Sequence, residues 1–173
     1  MSKKQQLQKI FSSDGLLSQS IQQFQPRVEQ IEMANAVLDT IEDQSQLIVE
    51  AGTGTGKTFA YLIPTLLSKQ KAIISTGSKN LQDQLFQRDL PTISKAMGFS
   101  GKIALLKGRA NYLCLDRLDR IYHRGMVGDN SLLKDFKAIQ KWRNHTKNGD
   151  LSECTALSED SALIPQIVST TES

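Results

Sequence analysis

A glycine- and threonine-rich loop, placed between a short apolar run and a helix-forming segment, constrains this chain more than any other feature. The loop spans residues 51–58, after the apolar run 47–51 and before a segment whose apolar residues keep helical spacing. Its glycines let the backbone turn tightly, so that several N–H groups face one point, and the following helix adds the positive end of its dipole. Strand, loop and helix in this order predict a phosphate-binding turn in an α/β domain.

Each position of the loop has an expected role in binding a nucleoside triphosphate. Lys57 is long enough to reach the β and γ phosphates, and the hydroxyl of Thr58 is a ligand for Mg²⁺. The residues expected to surround the phosphates are Ala51, Gly52, Thr53, Gly54, Thr55, Gly56, Lys57 and Thr58. A glycine-rich turn that binds nothing is the alternative, and the agreement of motif and context disfavours it. The motif does not select the reaction, because kinases, ATP-dependent motors and GTPases all use it.

Two more apolar runs predict further strands of the same sheet. Residues 71–75 and 102–106 are short and apolar, which is typical of buried strands. Helices are predicted over residues 28–41, 57–68 and 79–87 and before Gly98, and short helices broken at Asp14-Gly15 precede them. Strands that alternate with helices predict a parallel sheet with right-handed crossovers, flanked by helices. Beyond Gly108 the pattern is helical only, over residues 111–122 and 131–144.

Composition and charge restrict the possible class and partners of the protein less strictly than the loop does. No apolar stretch approaches the roughly 20 residues that a membrane span needs, and the polar start lacks the apolar region of a secretory signal. Two distant cysteines do not make a disulfide framework. These features predict a cytoplasmic protein without a membrane partner. All 21 lysines and arginines lie at or before Lys147, so the basic body is compatible with a polyanion such as DNA. On charge alone, an ordinary solvated surface is the favoured interpretation.

Four stretches together resemble the DinG/XPD iron–sulfur branch of superfamily 2 DNA helicases. They are Phe24-Gln-Pro-Arg27-x-x-Gln30-x-x-Met33, Glu50-Ala-Gly-Thr-Gly-Thr-Gly-Lys-Thr58, Ser75-Thr76-Gly-Ser-Lys-Asn-Leu81-Gln82-Asp-Gln84-Leu85 and Lys107-Gly-Arg-Ala-Asn-Tyr-Leu-Cys114. Their order and spacing agree over residues 24–114, and the wording is most similar to the YoaA-type members of the DinG group. The resemblance implies a RecA-like P-loop NTPase fold, ATP and Mg²⁺, and single-stranded or forked DNA as the partner. It further implies 5′-to-3′ helicase activity in DNA repair or replication, with proteins of those processes as candidate partners.

The resemblance also implies roles for residues outside the loop. Arg27 and Gln30 are expected to bind the nucleotide, and the amide of Gln30 has the donors and acceptor that distinguish adenine from guanine. An exposed helix residue is the alternative for Gln30. The segment after the second predicted strand is expected to contact the DNA backbone, and simple capping of a helix is a compatible interpretation. Its candidate residues are Thr76, Ser78, Lys79, Asn80 and Gln82.

The cysteines bear on the implied [4Fe–4S] cluster. Cys114 lies where the family has its first ligand, and a small buried side chain is the alternative. A cluster of this kind needs four ligands, and the chain contains two cysteines. Cys154 has no cysteine near it in sequence and is expected to be a bystander.

The chain departs from the family pattern in several places. These departures predict that it is the N-terminal portion of a helicase, which binds ATP but does not unwind DNA alone. No Asp-Glu-x-His or Asp-Glu-x-Asp box follows an apolar run, and no second motor domain is present. The predicted organisation is a helical extension (1–23), the first part of ATP-binding motor domain 1 (24–108) and a partial iron–sulfur or helical insertion (109–173). A small P-loop phosphotransferase and a non-catalytic nucleotide- or partner-binding module are the alternatives.

The helical segment carries bases interleaved with aromatic residues. Such a surface can follow single-stranded DNA, and a solvated helix is an equally good interpretation. Trp142 is expected in the core, and His123 and His145 on the surface. The basic residues are Lys102, Lys107, Arg109, Arg117, Arg120 and Arg124, with Tyr112 and Tyr122 nearby.

Overall fold

The computed structural model describes residues 1–124, 130–158 and 160–170, except for the side chains of Arg124 and Asn130. The chain divides into two compact units, Met1–Ile103 and Ala104–Ser173. The helices of the first unit are α1 (Lys3–Phe11), α2 (Leu16–Ser20), α3 (Val28–Asp43), α4 (Lys57–Ser68), α5 (Lys79–Gln84) and α6 (Leu90–Met97). A π-helical turn, Leu85–Asp89, joins α5 to α6. The helices of the second unit are α7 (Leu115–Arg124), α8 (Asn130–Trp142) and α9 (Ile164–Ile167).

Local sequence signals explain how the first unit begins. Ser2 caps α1, because its hydroxyl accepts a hydrogen bond from the backbone N–H of Gln5 while the Gln5 side chain accepts one from the N–H of Ser2. At Gly15 an added Cβ would lie 2.2 Å from the carbonyl oxygen of Lys9, so the close return of the chain between α1 and α2 requires glycine there. The predicted break between two short N-terminal helices is confirmed.

The core of the first unit is built from the apolar faces of its helices. Helix α3 lies against α4, and α1 and α2 add fully buried side chains to the same cluster. The predicted helices at 28–41, 57–68 and before Gly98 are confirmed within one or two residues, because each carries an apolar stripe that another helix covers. The fully buried apolar residues are Leu7, Phe11, Leu17, Ala34, Leu38, Ala60, Leu62, Ile63 and Ile93.

The prediction of a parallel β-sheet is wrong. In the parts of the chain that the structure describes, residues 47–51, 71–75 and 102–106 have no regular secondary structure, and no strand is present. Ile48 is 99% exposed and Ile73 is 93% exposed. Apolar character shows only that a segment gains by burial, whereas a strand also needs a hydrogen-bonded neighbour, and these segments neither pair in a ladder nor enter the core. The fold class observed is helical.

The second unit has its own apolar core beneath α7, α8 and α9. Phe136 and Ile139 of α8 are buried there, and Leu132 and Trp142 pack against the same cluster, as the helical stripe predicts. The first predicted helix is displaced, since α7 begins at Leu115 rather than near Asn111. Isolated antiparallel bridges, Tyr112 with Asp150 and Leu113 with Val168, connect the segment before α7 to later parts of the unit.

Among the described helices, none is both long enough and apolar enough to cross a membrane.

Candidate nucleotide-binding site

The glycine-rich loop leads directly into α4 in the first unit. Gly54 and Gly56 both have φ of +79°, a left-handed backbone conformation that glycine adopts without steric cost. Gly56 is the residue immediately before α4, and Lys57 and Thr58 form its first turn. The Thr55 hydroxyl donates to the carbonyl oxygen of Gly52 at 3.0 Å and closes the loop. The loop is therefore a compact turn at a helix N-terminus, a geometry suited to anions.

The Lys57 ammonium lies over this loop. Its Nζ donates to the carbonyl oxygens of Ala51 at 2.6 Å and Gly52 at 2.7 Å. These two bonds hold a positive charge at the centre of the turn, beside the N-terminus of α4. A phosphate bound there would gain a charge-assisted contact with Lys57 and would compete with two backbone carbonyls for it.

Thr58 lies in the first turn of α4, and the half-buried Tyr61 follows it one turn further along the helix. Burial raises the pKa of Tyr61, the Thr58 hydroxyl lowers it, and the charge of Asp89 raises it, with a net pKa above the ordinary value.

Arg27 and Gln30 contact the backbone of the loop from the start of α3. A guanidinium nitrogen of Arg27 donates to the carbonyl oxygen of Gly54, and Gln30 Nε2 donates to that of Gly56 at 2.9 Å. Gln30 is only 4% exposed, so the alternative of an exposed helix residue is wrong. The structure brings both predicted nucleotide-binding residues to the phosphate loop, and whether they contact a nucleotide stays a prediction.

A cavity of about 310 Å³ opens beside the loop in the first unit. It borders Arg27, Gln30 and the loop residues Gly54, Thr55 and Gly56. The residues that form the other wall of the cavity were not predicted as part of the site. They follow α2 in the chain and come shortly before Arg27 and Gln30, and this closeness in sequence is the signal that could have indicated them. The residues of this wall are Ile21, Gln22, Gln23, Phe24 and Gln25, and Phe59 of α4 also lines the cavity.

Gly56→Ala tests the close packing of Gln30 against the phosphate loop. A Cβ at residue 56 would lie 2.1 Å from Gln30 Nε2, and the φ of +79° disfavours any side chain. Gly54→Ala is the matched control, since Gly54 has the same φ but no heavy atom within 4 Å of the added Cβ. We expect Gly54→Ala to cost about 1–2 kcal/mol from backbone strain, and Gly56→Ala to cost more because Gln30 must also move. Equal losses, measured by urea unfolding followed by circular dichroism, would contradict this.

The segment predicted to contact DNA forms the start of α5. The Ser78 hydroxyl accepts a hydrogen bond from the N–H of Leu81 at 3.3 Å, so the capping interpretation is confirmed. Ser78, Lys79 and Asn80 are exposed, whereas Thr76 and Gln82 are half-buried. Contact with DNA stays a prediction for all five residues.

The two cysteines lie in the second unit. Cys114 is half-buried just before α7, and its N–H donates to the carbonyl oxygen of Ile167 at 2.7 Å. Cys154 is buried in the apolar core, and burial raises the pKa of its thiol. Across the described parts of the chain, no three His, Cys, Asp or Glu side chains are grouped to hold a metal ion. The residues described here therefore do not form a site for an iron–sulfur cluster.

Several basic residues of the second unit are engaged within it. Lys107, predicted as part of a basic surface, is buried in an ion pair with Asp150. Arg117 donates to the carbonyl oxygen of Gln166 at 3.1 Å, and Arg120 pairs with Asp116 on the surface. The side chain of Arg124 lies outside the described residues. The basic surface available to a polyanion is thus smaller than the sequence indicates.

Aromatic and histidine residues of this unit follow the expectations. His123 and His145 are exposed, and Trp142 packs against the core. Tyr122 is exposed and stacks on Phe136, with the ring planes 7° apart.

Comparison with known proteins defines the class. The profile of DEAD/DEAH box helicases matches residues 28–154, which include the loop, Gln30 and most of the second unit. The chain belongs to this family.

Several bacterial proteins are similar to this chain over most of its length. The ATP-dependent DNA helicase YoaA of Haemophilus influenzae is 61% identical over 168 residues, and that of Escherichia coli is 51% identical over 162 residues. The protein named 3′-5′ exonuclease DinG of Bacillus subtilis is 33% identical over 145 residues. These matches cover 97%, 94% and 82% of this chain. The chain spans only 26% of the length of each YoaA protein and 16% of that of DinG.

Proposed function

We propose that this chain is the ATP-binding part of an ATP-dependent DNA helicase. The observation that carries the proposal is the glycine loop at the N-terminus of α4, with the Lys57 ammonium at its centre and Gln30 buried against Gly56. This arrangement lies in a chain of the DEAD/DEAH box helicase family whose relatives include proteins named ATP-dependent DNA helicase. With DNA as the substrate, the cytoplasm is the compartment we propose.

The donor set of the site fits ATP with Mg²⁺. The cavity is at the lower end of the roughly 300–1,000 Å³ typical of ligand sites, enough for a nucleoside beside the loop. Lys57 would exchange its two carbonyl partners for phosphate oxygens, and the loop N–H groups would surround the same oxygens. Thr58 would place its hydroxyl on the metal, while Arg27 and Gln30 would hold the nucleoside side. Bound Mg²⁺ supplies positive charge that neutralises the β and γ phosphates.

DNA would contact the exposed start of α5. Ser78, Lys79 and Asn80 are exposed there, and the capped helix N-terminus directs N–H groups outward, as phosphate contact requires. Single-stranded or forked DNA as the substrate, 5′-to-3′ polarity and a role in repair or replication are parts of the proposal that come from the family. We further propose residues 24–108 as the nucleotide-binding region and residues 109–173 as a separate helical region.

The two cysteines of this chain do not by themselves fit an iron–sulfur cluster. Cys114 is half-buried and Cys154 belongs to an apolar core, so the two thiols do not make up a four-ligand site.

The test is ATP binding by this chain, together with ATP hydrolysis by a protein of the relatives' full length that contains it. We expect this chain to bind MgATP, and the longer protein to hydrolyse ATP faster when single-stranded DNA is added. Binding without DNA-stimulated hydrolysis in the longer protein would favour a non-catalytic nucleotide-binding module. Phosphorylation of a small acceptor, with no response to DNA, would favour a phosphotransferase. Failure of this chain to bind MgATP would contradict the assigned site.

A further inference from the structure

An exposed aromatic ring is held in place on the surface of the second unit. Tyr122 of α7 is 64% exposed, and it stacks on Phe136 of α8, which is buried. The two ring centroids are 6.1 Å apart and the ring planes differ by 7°, which is an offset stacked arrangement. The His123 ring contacts Tyr122 at a steep angle, with centroids 5.5 Å apart. Phe136 therefore supports the Tyr122 ring while much of the ring surface stays open to solvent.

A row of lysines follows the solvent side of α8. Lys134, Lys137 and Lys141 are exposed, and their spacing of three and then four residues places them on one face of the helix. We call these three residues the α8 lysine row. Among the described residues, none of the three is paired with an acidic side chain. The positive charge of the row can therefore act on an anionic partner.

The acidic residues of α7 and α8 do not cancel this charge. Asp116 and Asp119 of α7 each pair with an arginine, at 2.9 Å and 2.7 Å. Asp135 is the single acid of α8, and it accepts a hydrogen bond from the buried Ser161, on the core side of the helix. Three lysines and one aspartate leave α8 with a net positive charge.

The Tyr122 ring and the α8 lysine row lie at the same level of α8. Phe136, which supports the ring, stands between Lys134 and Lys137 in the helix, and Lys137 follows it about 100° further around the axis. An aromatic face next to a line of cations suits single-stranded nucleic acid, because a base stacks on the ring while phosphates contact the cations. A duplex does not use such a ring in this way, since its bases are stacked on one another.

We propose that Tyr122 and the α8 lysine row form a binding surface for single-stranded DNA in the second unit. A nucleobase stacks on the open side of the Tyr122 ring, and neighbouring phosphates contact the lysines. Because Phe136 already holds the ring, Tyr122 loses little conformational freedom when a base binds. The inference rests on the proposed function, in which DNA is the substrate, and it adds a contact surface to the one proposed at the start of α5.

The experiment compares two labelled oligomers that differ only in their bases. The first is an oligothymidylate of about twelve nucleotides, within the range of small single-strand binding domains, and the second is an abasic oligomer of the same length. Fluorescence anisotropy measures the affinity of this chain for each. We expect Tyr122→Ala to weaken binding of the oligothymidylate about five- to hundredfold, the effect of losing one stacked base, and to leave binding of the abasic oligomer nearly unchanged.

Two further substitutions separate stacking from folding. Tyr122→Phe keeps the ring and should retain the affinity for the oligothymidylate. Tyr122→Leu keeps an apolar side chain over Phe136 but has no ring, so it should lose the same affinity as Tyr122→Ala and keeps the test possible if that variant unfolds. The fluorescence of Trp142, which packs against the core of this unit, reports during thermal unfolding whether each variant is folded.

The salt dependence of binding tests the α8 lysine row. Each phosphate contact on a single strand contributes about 0.7 to the slope of log affinity against log salt concentration, so replacing the whole row with glutamine should make the slope shallower by about 2. The matched control makes the same change of charge at three exposed lysines of the first unit and should keep the original slope. The control residues are Lys9, Lys71 and Lys95.

Each contrary outcome overturns the inference for a stated reason. Equal losses by Tyr122→Ala for the two oligomers would mean that the ring has only a structural role. A shallower slope in the row variant without any effect at Tyr122 would indicate a surface for anions in general, an acidic peptide included. Failure of the unsubstituted chain to bind the oligothymidylate would also overturn it.

These measurements need no ATP, so they are independent of the nucleotide site. If the chain binds MgATP but Tyr122→Ala has no effect on the oligothymidylate, the inference fails and the proposed ATP-binding function stands. If Tyr122→Ala and the row variant behave as expected but the chain binds no MgATP, the DNA surface stands and the proposed nucleotide site fails.

Discussion

Lys57→Ala is expected to weaken MgATP binding by at least about 100-fold. It removes two charge-assisted hydrogen bonds to phosphate, which contribute about 1.5–3 kcal/mol each, less the two carbonyl bonds that Lys57 gives up to make them. Lys57 is the side chain whose ammonium lies over the loop, bonded to the carbonyls of Ala51 and Gly52. The measurement is titration of this chain with MgATP, by calorimetry or with a fluorescent analogue. Binding by Lys57→Ala that matches the unsubstituted chain would rule out the loop as the phosphate site.

Lys95→Ala is the matched control for this substitution. Lys95 is an exposed lysine in the last turn of α6, in the same unit as the loop. We expect it to bind MgATP normally, because removing an exposed charge away from the loop changes only long-range attraction, which salt screens. A similar loss in both variants would indicate that general positive charge, rather than the geometry of the loop, attracts the nucleotide.

Lys107→Met should destabilise the second unit by about 3–5 kcal/mol, the cost of leaving one partner of a buried ion pair uncompensated. Lys107 Nζ lies 2.9 Å from Asp150 Oδ2 and donates to the Ser152 hydroxyl at 2.9 Å, and the Lys107 and Asp150 side chains are 5% and 7% exposed. The single tryptophan, Trp142, packs against the core of this unit, so its fluorescence during urea unfolding reports this part of the chain.

Two further variants identify the buried charge as the cause. Asp116→Asn breaks the exposed pair of Asp116 with Arg120 and should cost at most about 0.5 kcal/mol. Adding Asp150→Asn to Lys107→Met removes the uncompensated charge and should recover part of the loss. If Lys107→Met is as mild as Asp116→Asn, the ion pair does not stabilise this unit.

The same ion pair makes the free energy of unfolding of the second unit depend on pH in the acid range. Burial raises the pKa of Asp150, but hydrogen bonds from Lys107 and Ser152 lower it, and the net pKa lies below the ordinary 3.8. The unfolded chain therefore takes up the proton more readily than the folded chain. This contribution is fully present above pH 3.8 and is lost as the pH falls through the lower pKa of the folded state. Lys107→Met should flatten this dependence.

The helices were largely predictable from the sequence, because a helix completes its backbone hydrogen bonds within one segment and needs only one apolar stripe. Helix α4 lies where the spacing of its apolar residues predicts it. Whether the other apolar segments form strands was not predictable in this way. Residues 47–51 and 71–75 are as apolar as buried strands, but strand formation depends on a hydrogen-bonded neighbour, and a local pattern contains no information about whether one is present.

By itself, the sequence determined the position of the phosphate loop, the helix after it and the membership in a helicase family, because each depends on residues adjacent in the chain or on similarity over the chain. Only the tertiary structure decided which side chains meet. It brings Gln30 against Gly56, makes Ile21–Phe24 the wall of the cavity and buries Lys107 against Asp150. These contacts join residues far apart in sequence or follow from the packing of whole helices, and no local pattern specifies them.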